Sequence, residues 1–285
     1  MTSPVLVRTR TELARAVDRS RGAVALVMTM GALHAGHAAL IRAARREAAT
    51  VVVSIFVNPL QFGAGEDYDR YPRELGRDLE VCAAEGADVV FAPAVDEIYP
   101  AGEPMVRLNP GPIADTHEGA LRPDLFPGIL TVVTKFFHVV QPDVAVFGEK
   151  DAQQITLVRR MVADLNFPLR IVGVPTVREP DGLAMSSRNV YLAPAERLTA
   201  RFLPRALYAA QHRRTSVTSA LAAASEVLEA AGRVDPPVRL RALTVVDART
   251  FAPAPADFRG DAVIGVIARV GTTHLIDHMP IVIGD

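Results

Sequence analysis

The stretch Thr50 to Val57, TVVVSIFV, is apolar or β-branched at nearly every position. Both faces of such a strand must be covered, as in a parallel sheet flanked by helices. The same kind of short run recurs at Ala23 to Met28 (AVALVM), Asp88 to Ala92, Val144 to Phe147 and Arg170 to Val174. Segments of helical period separate these runs. Leu40, Ile41, Ala44 and Ala48 share one side while Arg42, Arg45 and Arg46 take the other; Leu75, Leu79 and Cys82 repeat the pattern. Ile129 to Val140 predicts a mostly buried helix, and Ala152 to Leu165 another. Strands alternating with helices specify an α/β parallel sheet wound with helices.

Pro93 to Pro127 is rich in Pro and Gly and predicts an extended excursion with little regular structure. After Val174 the pattern changes to a loop reaching Asn189, alanine-rich helices near Pro194 to Arg213 and Ser216 to Ala231, and β-rich runs at Leu240 to Asp247 and Ala262 to Val270. Two domains are therefore expected, residues 1–175 with the parallel sheet and residues 176–285 with a smaller α+β arrangement. The 285-residue length suits both cores.

Charge narrows the partners. Lys+Arg 31 against Asp+Glu 32 supplies no general field for a phosphate backbone, so bulk nucleic-acid binding is disfavoured. One cysteine, Cys82, forms no intrachain disulfide. MTSPVLVRTR lacks the basic-then-apolar pattern of a secretory signal, and no apolar run approaches the roughly 18 residues of a membrane span. A cytoplasmic protein without membrane partners is the expectation. Among the basic residues only Lys135 and Lys150 are lysine, leaving 29 arginines. A chain that uses arginine so consistently keeps lysine where a planar fork fails.

Four polar segments follow the expected strands: Thr29 to His37 (TMGALHAGH), Asn58 to Gly63 (NPLQFG), Gly148 to Gln154 (GEKDAQQ) and Asp181 to Asn189 (DGLAMSSRN). Loops at the carboxyl ends of parallel strands line the ligand crevice, so these segments are expected to converge. Gly31 follows a strand, while Gly36 and His37 open a helix, a geometry that offers backbone N–H groups and a positive dipole end to phosphate. His34 and His37, three apart, can face one bound group. A zinc reading is weaker because no third ligand stands at metal spacing, and a pair of surface histidines beside a turn is the plain alternative. Lys150 offers a compact mobile charge to phosphate, whereas Lys135 lies within an apolar helix where snorkelling or a structural pair is an equal reading. Asn58, Gln61 and Gln154 suit a substrate with hydroxyls and a carboxylate, although Asn58 before Pro59 equally reads as a loop cap. Ser186, Ser187 and Arg188 form a candidate polyphosphate clamp.

Together with YPR at Tyr71 to Arg73, FAPAVDEIYP, QPD at Gln141 to Asp143 and IVGVPTVRE, these segments resemble the pantoate–β-alanine ligase (pantothenate synthetase) family over nearly the whole chain. That family belongs to the nucleotidyltransferase superfamily, whose His-x-Gly-His signature is also found in class I aminoacyl-tRNA synthetases. The resemblance implies a Rossmann-like ATP- and pantoate-binding domain with a C-terminal lid domain, and a homodimer. It implies ligation of (R)-pantoate and β-alanine to pantothenate through a pantoyl adenylate, releasing AMP and pyrophosphate, with Mg²⁺ carried by ATP. By the same resemblance Met30, Gly31, Ala32, Leu33, His34, Ala35, Gly36, His37, Gly148, Glu149, Lys150 and Asp151 bracket ATP. His34, His37 and Lys150 then lie at its phosphates as the catalytic set. Val177 contacts adenine through its backbone, and Met185, Ser186, Ser187 and Arg188 close over the phosphates. Gln61 and Gln154, with Asn58 nearby, hold pantoate, and no resident metal is implied. Gly63 to Asp69 is a candidate lid excluding water from the adenylate.

Three positions depart from the family pattern: Met28 where proline is common, and Leu125 and Pro127 within RPDLFPG, where a histidine and a small or basic residue are usual. Two other readings share the histidine motif. One is a nucleotidyltransferase that stops at a nucleotide product; the other is a catalytically silent nucleotide-binding module, which would not require the whole set of histidines, lysine and glutamines.

Overall fold

The computed structural model describes residues 3–63 and 65–284. Met1 and Thr2 of the amino-terminal stretch, Ala64 of the candidate lid, and Asp285 lie outside the described residues. The chain divides into two compact units. Of the described residues, one comprises 3–63, 65–114, 119–148 and 157–174, and the other 115–118, 149–156 and 175–284.

The elements in chain order are β1 (Val5–Val7), α1 (Arg10–Ala16), β2 (Val24–Thr29), α2 (Ala35–Glu47), β3 (Thr50–Ile55), α3 (Leu75–Ala84), β4 (Val89–Phe91), α4 (Val95–Ile98), α5 (His117–Leu121), α6 (Leu125–Val140), β5 (Val144–Gly148), α7 (Ala152–Asp164), β6 (Arg170–Val174), α8 (Pro194–Ala200), α9 (Phe202–His212), α10 (Val217–Ala231), β7 (Val238–Asp247), β8 (Gly260–Val270) and β9 (Thr273–Ile283).

In the first unit six parallel strands are ordered β1-β4-β3-β2-β5-β6. Val24 to Val27 and Val51 to Val53 are fully buried, as expected of strands covered on both faces. The strand order reverses between β2 and β5, the point at which an open α/β sheet opens a crevice. The polar segments after β2 and β3 leave neighbouring strands, and β5 ends at Gly148. Strand β2 continues through Met28, paired with Ser54, to Thr29; methionine keeps the backbone N–H that proline would remove.

The second unit holds an antiparallel sheet, β7-β8-β9. Its core joins Leu203 and Leu207 of α9, Ala220, Ala224 and Leu228 of α10, and Ile264, Val266, Met279 and Ile281 of the sheet.

The structure corrects several sequence expectations. The helix foreseen over Pro194 to Arg213 is two helices that meet at Arg201. Pro204 cannot donate to the Ala200 carbonyl, so the helix restarts with Pro204 in its first turn. The Pro93 to Pro127 excursion contains α4, a 3₁₀ turn at Gly111–Asp115, α5 and the first turn of α6. Pro127 falls in that first turn, where a missing N–H is harmless, so α6 begins four residues earlier than its apolar period suggested. Strands β1 and β9 and helix α1 were unforeseen. β1 has three residues, too few for a pattern. β9 interrupts its alternation with Asp277, His278 and Pro280, the last tolerated because β9 is an edge strand.

Candidate active site

Within the first unit, β2 gives way to Met30 and Gly31, and α2 begins at Ala35 with His34 as its N-cap. Gly31 adopts φ +88° and Ala32 φ 50°, so two consecutive residues occupy the left-handed region, which is strained for the alanine. Asp78 of α3 holds this turn. Its carboxylate accepts the Ala32 N–H at 3.1 Å and the Leu33 N–H at 2.7 Å, and the residue is 1% exposed. Burial raises the Asp78 pKa, with the two amide hydrogen bonds opposing. No motif marks Asp78. Its signal was a charge on the apolar stripe of Leu75, Leu79 and Cys82, where burial is costly unless both oxygens are used.

The turn sets the two half-buried imidazoles. His34 Nδ1 accepts the Gly36 N–H at 3.1 Å, and His37 Nδ1 accepts the His34 N–H at 3.3 Å, a reciprocal cap of the helix. With Nδ1 an acceptor on each ring, the neutral tautomer of each carries its proton on Nε2. The rings lie 4.1 Å apart between centroids. Met30, Gly31, Ala32, Leu33, Ala35 and Gly36 thus form the turn and helix start around two N–H donors, at the positive end of a 13-residue helix. Asp78→Asn is expected to lower catalytic turnover about tenfold and stability by about 1–3 kcal/mol, because an amide nitrogen would face one of the two buried backbone N–H groups and leave it without an acceptor. Steady-state kinetics together with thermal denaturation measures both.

After β3, Asn58 begins a 3₁₀ turn, Pro59–Gln61. Asn58 is 1% exposed and its amide is committed to protein partners. Oδ1 accepts the Leu60 N–H at 3.3 Å and the Tyr99 hydroxyl at 2.8 Å, and Nδ2 donates to Gln61 Oε1 and the Gly128 carbonyl, each at 3.2 Å. Gln61 Nε2 lies 3.0 Å from Met30 Sδ. The structure therefore brings Gln61 beside the glycine turn and places Asn58 beneath it. Lys135 stands 5.5 Å from the Tyr99 ring centroid, which gives the second lysine a cation–π contact in the same cluster. Near the candidate lid, Phe62 meets Tyr68 edge-on and Glu66 pairs with Arg122 at 2.5 Å. Leu125 is buried at 6% exposure and so presents an apolar group at its family-divergent position.

In the second unit Glu149, Lys150 and Asp151 form one 3₁₀ turn leading into α7. Lys150 Nζ pairs with Asp151 Oδ1 at 3.1 Å. Burial opposes the Lys150 charge, but the adjacent carboxylate outweighs it and holds the ammonium pKa above its ordinary value. The ammonium correspondingly holds Asp151 below the usual carboxylate range despite burial. Arg188 acts electrostatically on both. Gln154, half-buried, follows on the first turn of α7.

The remaining predicted residues lie on a small turn. Val177 accepts the Met185 N–H at 2.9 Å, Arg178 bridges Ala184, and Gly182 closes the bend. The Arg178 guanidinium forks onto Asp277 at 2.6 and 3.0 Å, and Asp277 is 3% exposed. Ser186 then caps a 3₁₀ turn by accepting the Arg188 N–H at 3.2 Å, with Ser187 in its first position. Among the described residues no three His, Cys, Asp or Glu side chains gather as a metal-ligand set, and no helix is long and apolar enough to cross a membrane.

The chain is similar to known proteins over nearly its whole length. The "Pantothenate synthetase" of Thermobifida fusca is 53% identical over 285 residues, covering 98% of this chain and 96% of that protein. That of Acidothermus cellulolyticus is 54% identical over 282 residues, covering 97% and 91%. Among solved structures, the pantothenate synthetase from Thermus thermophilus superposes with a TM-score of 0.90 at 48% identity, covering 96% of this chain and 98% of that one. The pantoate-β-alanine ligase from Francisella tularensis, complexed with "Beta-gamma ATP and Beta-alanine", superposes with a TM-score of 0.79 at 30% identity and 97% coverage of each. The family model described as pantoate-beta-alanine ligase matches residues 5–280, and the chain belongs to the pantoate–β-alanine ligase family.

Proposed function

We propose that this ligase joins (R)-pantoate and β-alanine to give pantothenate through an adenylate, with His34, His37 and Lys150 at the phosphates of ATP. The observation that carries the assignment is the pair of adjacent, tilted imidazoles capping α2, each fixed by a backbone N–H as an Nε2 donor. A carboxylate oxygen of pantoate attacks the α-phosphorus of ATP, and the bond from that phosphorus to the bridging oxygen of pyrophosphate breaks. A carboxylate is already anionic, so this step requires alignment and charge neutralisation rather than a base. The imidazole N–H groups, the α2 N-terminus and the Lys150 ammonium supply that neutralisation, with His37 the proton donor. When bound, Mg²⁺ carried by the nucleotide would screen the charge of the phosphates.

Val177 contacts adenine through its backbone, while Gly148, Glu149 and Asp151 frame the nucleotide and Met185 to Arg188 close over its phosphates. We read residues 1–175 as the ATP- and pantoate-binding domain and residues 176–285 as its lid domain, with the stretches 115–118 and 149–156 grouping with the second unit. Gln61 and Gln154 hold the hydroxyls and carboxylate of pantoate, and Asn58 contributes by fixing Gln61. In the second step the neutral amine of β-alanine attacks the acyl carbon, AMP leaves, and the nitrogen loses a proton. Gly63 to Asp69 keeps water from the adenylate. The enzyme works as a homodimer in the cytoplasm.

Exchange of labelled pyrophosphate into ATP tests the first step. It must require pantoate, and the complete reaction must yield pantothenate and AMP; exchange indifferent to pantoate would defeat the assignment. Gln154→Ala is expected to raise the KM for pantoate about tenfold and that for ATP less than twofold. Equal shifts in the two constants would remove Gln154 from the pantoate site.

A further inference from the structure

Two buried histidines that the mechanism does not use lie behind Lys150. His278 of β9 is 3% exposed and His117 of α5 is 6% exposed. Their Nε2 atoms are 2.9 Å apart. His278 Nδ1 lies 2.6 Å from the main-chain carbonyl oxygen of Lys150, and Thr244 Oγ1 of β7 lies 2.9 Å from His117 Nδ1.

One assignment of protons satisfies the whole chain with both rings neutral. The Lys150 carbonyl only accepts, so His278 Nδ1 carries a hydrogen and its Nε2 is an acceptor. His117 Nε2 then donates to it, which leaves His117 Nδ1 to accept from the Thr244 hydroxyl. A proton added to either ring would set two N–H groups against each other at 2.9 Å, or strip an acceptor from Thr244. Burial, reinforced by the neighbouring imidazole, presses His117 down to about 3. Burial also lowers His278, although the Lys150 carbonyl and the carboxylates of Asp151 and Asp277 favour its charged form and the Lys150 ammonium opposes it.

The fold makes room for this chain at some cost. His117 takes φ 50°, in the left-handed region that few non-glycine residues enter and that histidine enters more readily than most. Gly265 of β8 lies flush against both rings: a Cβ there would sit 2.5 Å from His278 Cδ2 and 3.0 Å from His117 Cε1. A left-handed residue and a glycine in mid-strand both serve to seat two imidazoles whose far end is the backbone of Lys150. Next to His278 on β9, Asp277 holds Arg178 at the base of the turn that bears Val177 and Met185.

We propose that His278, backed by His117 and Thr244, is a positioning residue for the ligase reaction: it fixes the Glu149–Asp151 turn by its carbonyl, and thereby the Lys150 ammonium. This rests on the assignment of Lys150 to the ATP phosphates. A ring on β9 that donates at one edge and accepts at the other anchors the turn without competing for the ammonium, which Asp151 already pairs.

The test uses the full-length enzyme. His278→Leu should lower kcat for pantoate-dependent pyrophosphate exchange about tenfold, with the KM for pantoate within twofold of wild type. His278→Asn, whose amide nitrogen can occupy the place of Nδ1, should recover to within threefold of wild type. Long-range ¹H–¹⁵N NMR of the histidine rings at pH 7 should show His278 neutral with its proton on Nδ1 and His117 neutral with its proton on Nε2. A wild-type kcat in His278→Leu, an asparagine variant no better than leucine, a cationic ring, or reversed tautomers would each overturn the proposal. If His278→Leu does not fold, the asparagine kinetics and the wild-type tautomers decide it. Lys150→Ala run alongside separates the two readings: wild-type exchange in that variant removes Lys150 from the site, whereas inactivity there beside an unaffected His278→Leu removes only the positioning role.

Discussion

Lys150→Ala is expected to lower pantoate-dependent exchange of pyrophosphate into ATP by about 100-fold to 1,000-fold, the cost of removing one preorganised charge or donor from a developing anionic centre. The fold should survive. The Lys150 side chain is 21% exposed and that of its partner Asp151 is 47% exposed, so the pair is only partly buried and still reaches water, and it contributes about 1 kcal/mol after solvent screening. The thermal midpoint should therefore shift by only a few degrees, and loss of activity with retained stability is the signature sought. Lys150→Arg should recover little, because a wide planar fork on the same turn cannot follow the phosphates as a point charge does. His37→Ala should behave like Lys150→Ala. Lys135→Arg should keep most activity, since a guanidinium can also lie over Tyr99. Exchange near the wild-type rate in Lys150→Ala or His37→Ala would contradict the catalytic assignments.

Gly128→Ala is expected to destabilise the protein by about 3 kcal/mol, the upper range for overpacking a close contact, and to lower the thermal midpoint by roughly 6–12 °C for a chain of this size. A Cβ at residue 128 would overlap the Leu60 carbonyl oxygen and lie 2.6 Å from its carbon. Both obstacles are backbone, so no rotamer relieves them. The consequence reaches the site as well, because the Gly128 carbonyl receives Asn58 Nδ2, and Asn58 also holds Gln61. Separating α6 from this turn should raise the KM for pantoate along with the loss of stability. Differential scanning calorimetry and pantoate titration measure the two effects. A midpoint within about 2 °C of wild type would show that the Leu60 turn yields easily and that the glycine is not needed for close approach.

The parallel sheet was legible because strands buried on both faces carry a run that is apolar or β-branched at nearly every position, as Thr50 to Ile55 does, and because helices that cover them must repeat every three to four residues. The motif residues were legible because phosphate chemistry requires particular groups, and a glycine turn before His34 and His37 is written in consecutive letters. Features made by distant residues were not legible. Asp78 reads as one acid in a helix until α3 is packed against the glycine turn 45 residues earlier in the chain, counted from Leu33. Asn58 reads equally as ligand group or cap until Tyr99 and Gly128 close around its amide. Lys135 gains a partner only when α6 crosses Tyr99.

By itself the sequence determined the winding of strands and helices, the order of the four polar segments and the chemistry each can carry, because these depend on local period and on residue type. Tertiary structure decided which buried polar groups support them: Asp78 beneath the histidine turn, Asn58 beneath Gln61, and His117 with His278 behind Lys150. A buried donor or acceptor must find its partner wherever the chain returns, 161 residues apart for the two histidines, and only packing brings such partners into hydrogen-bond range.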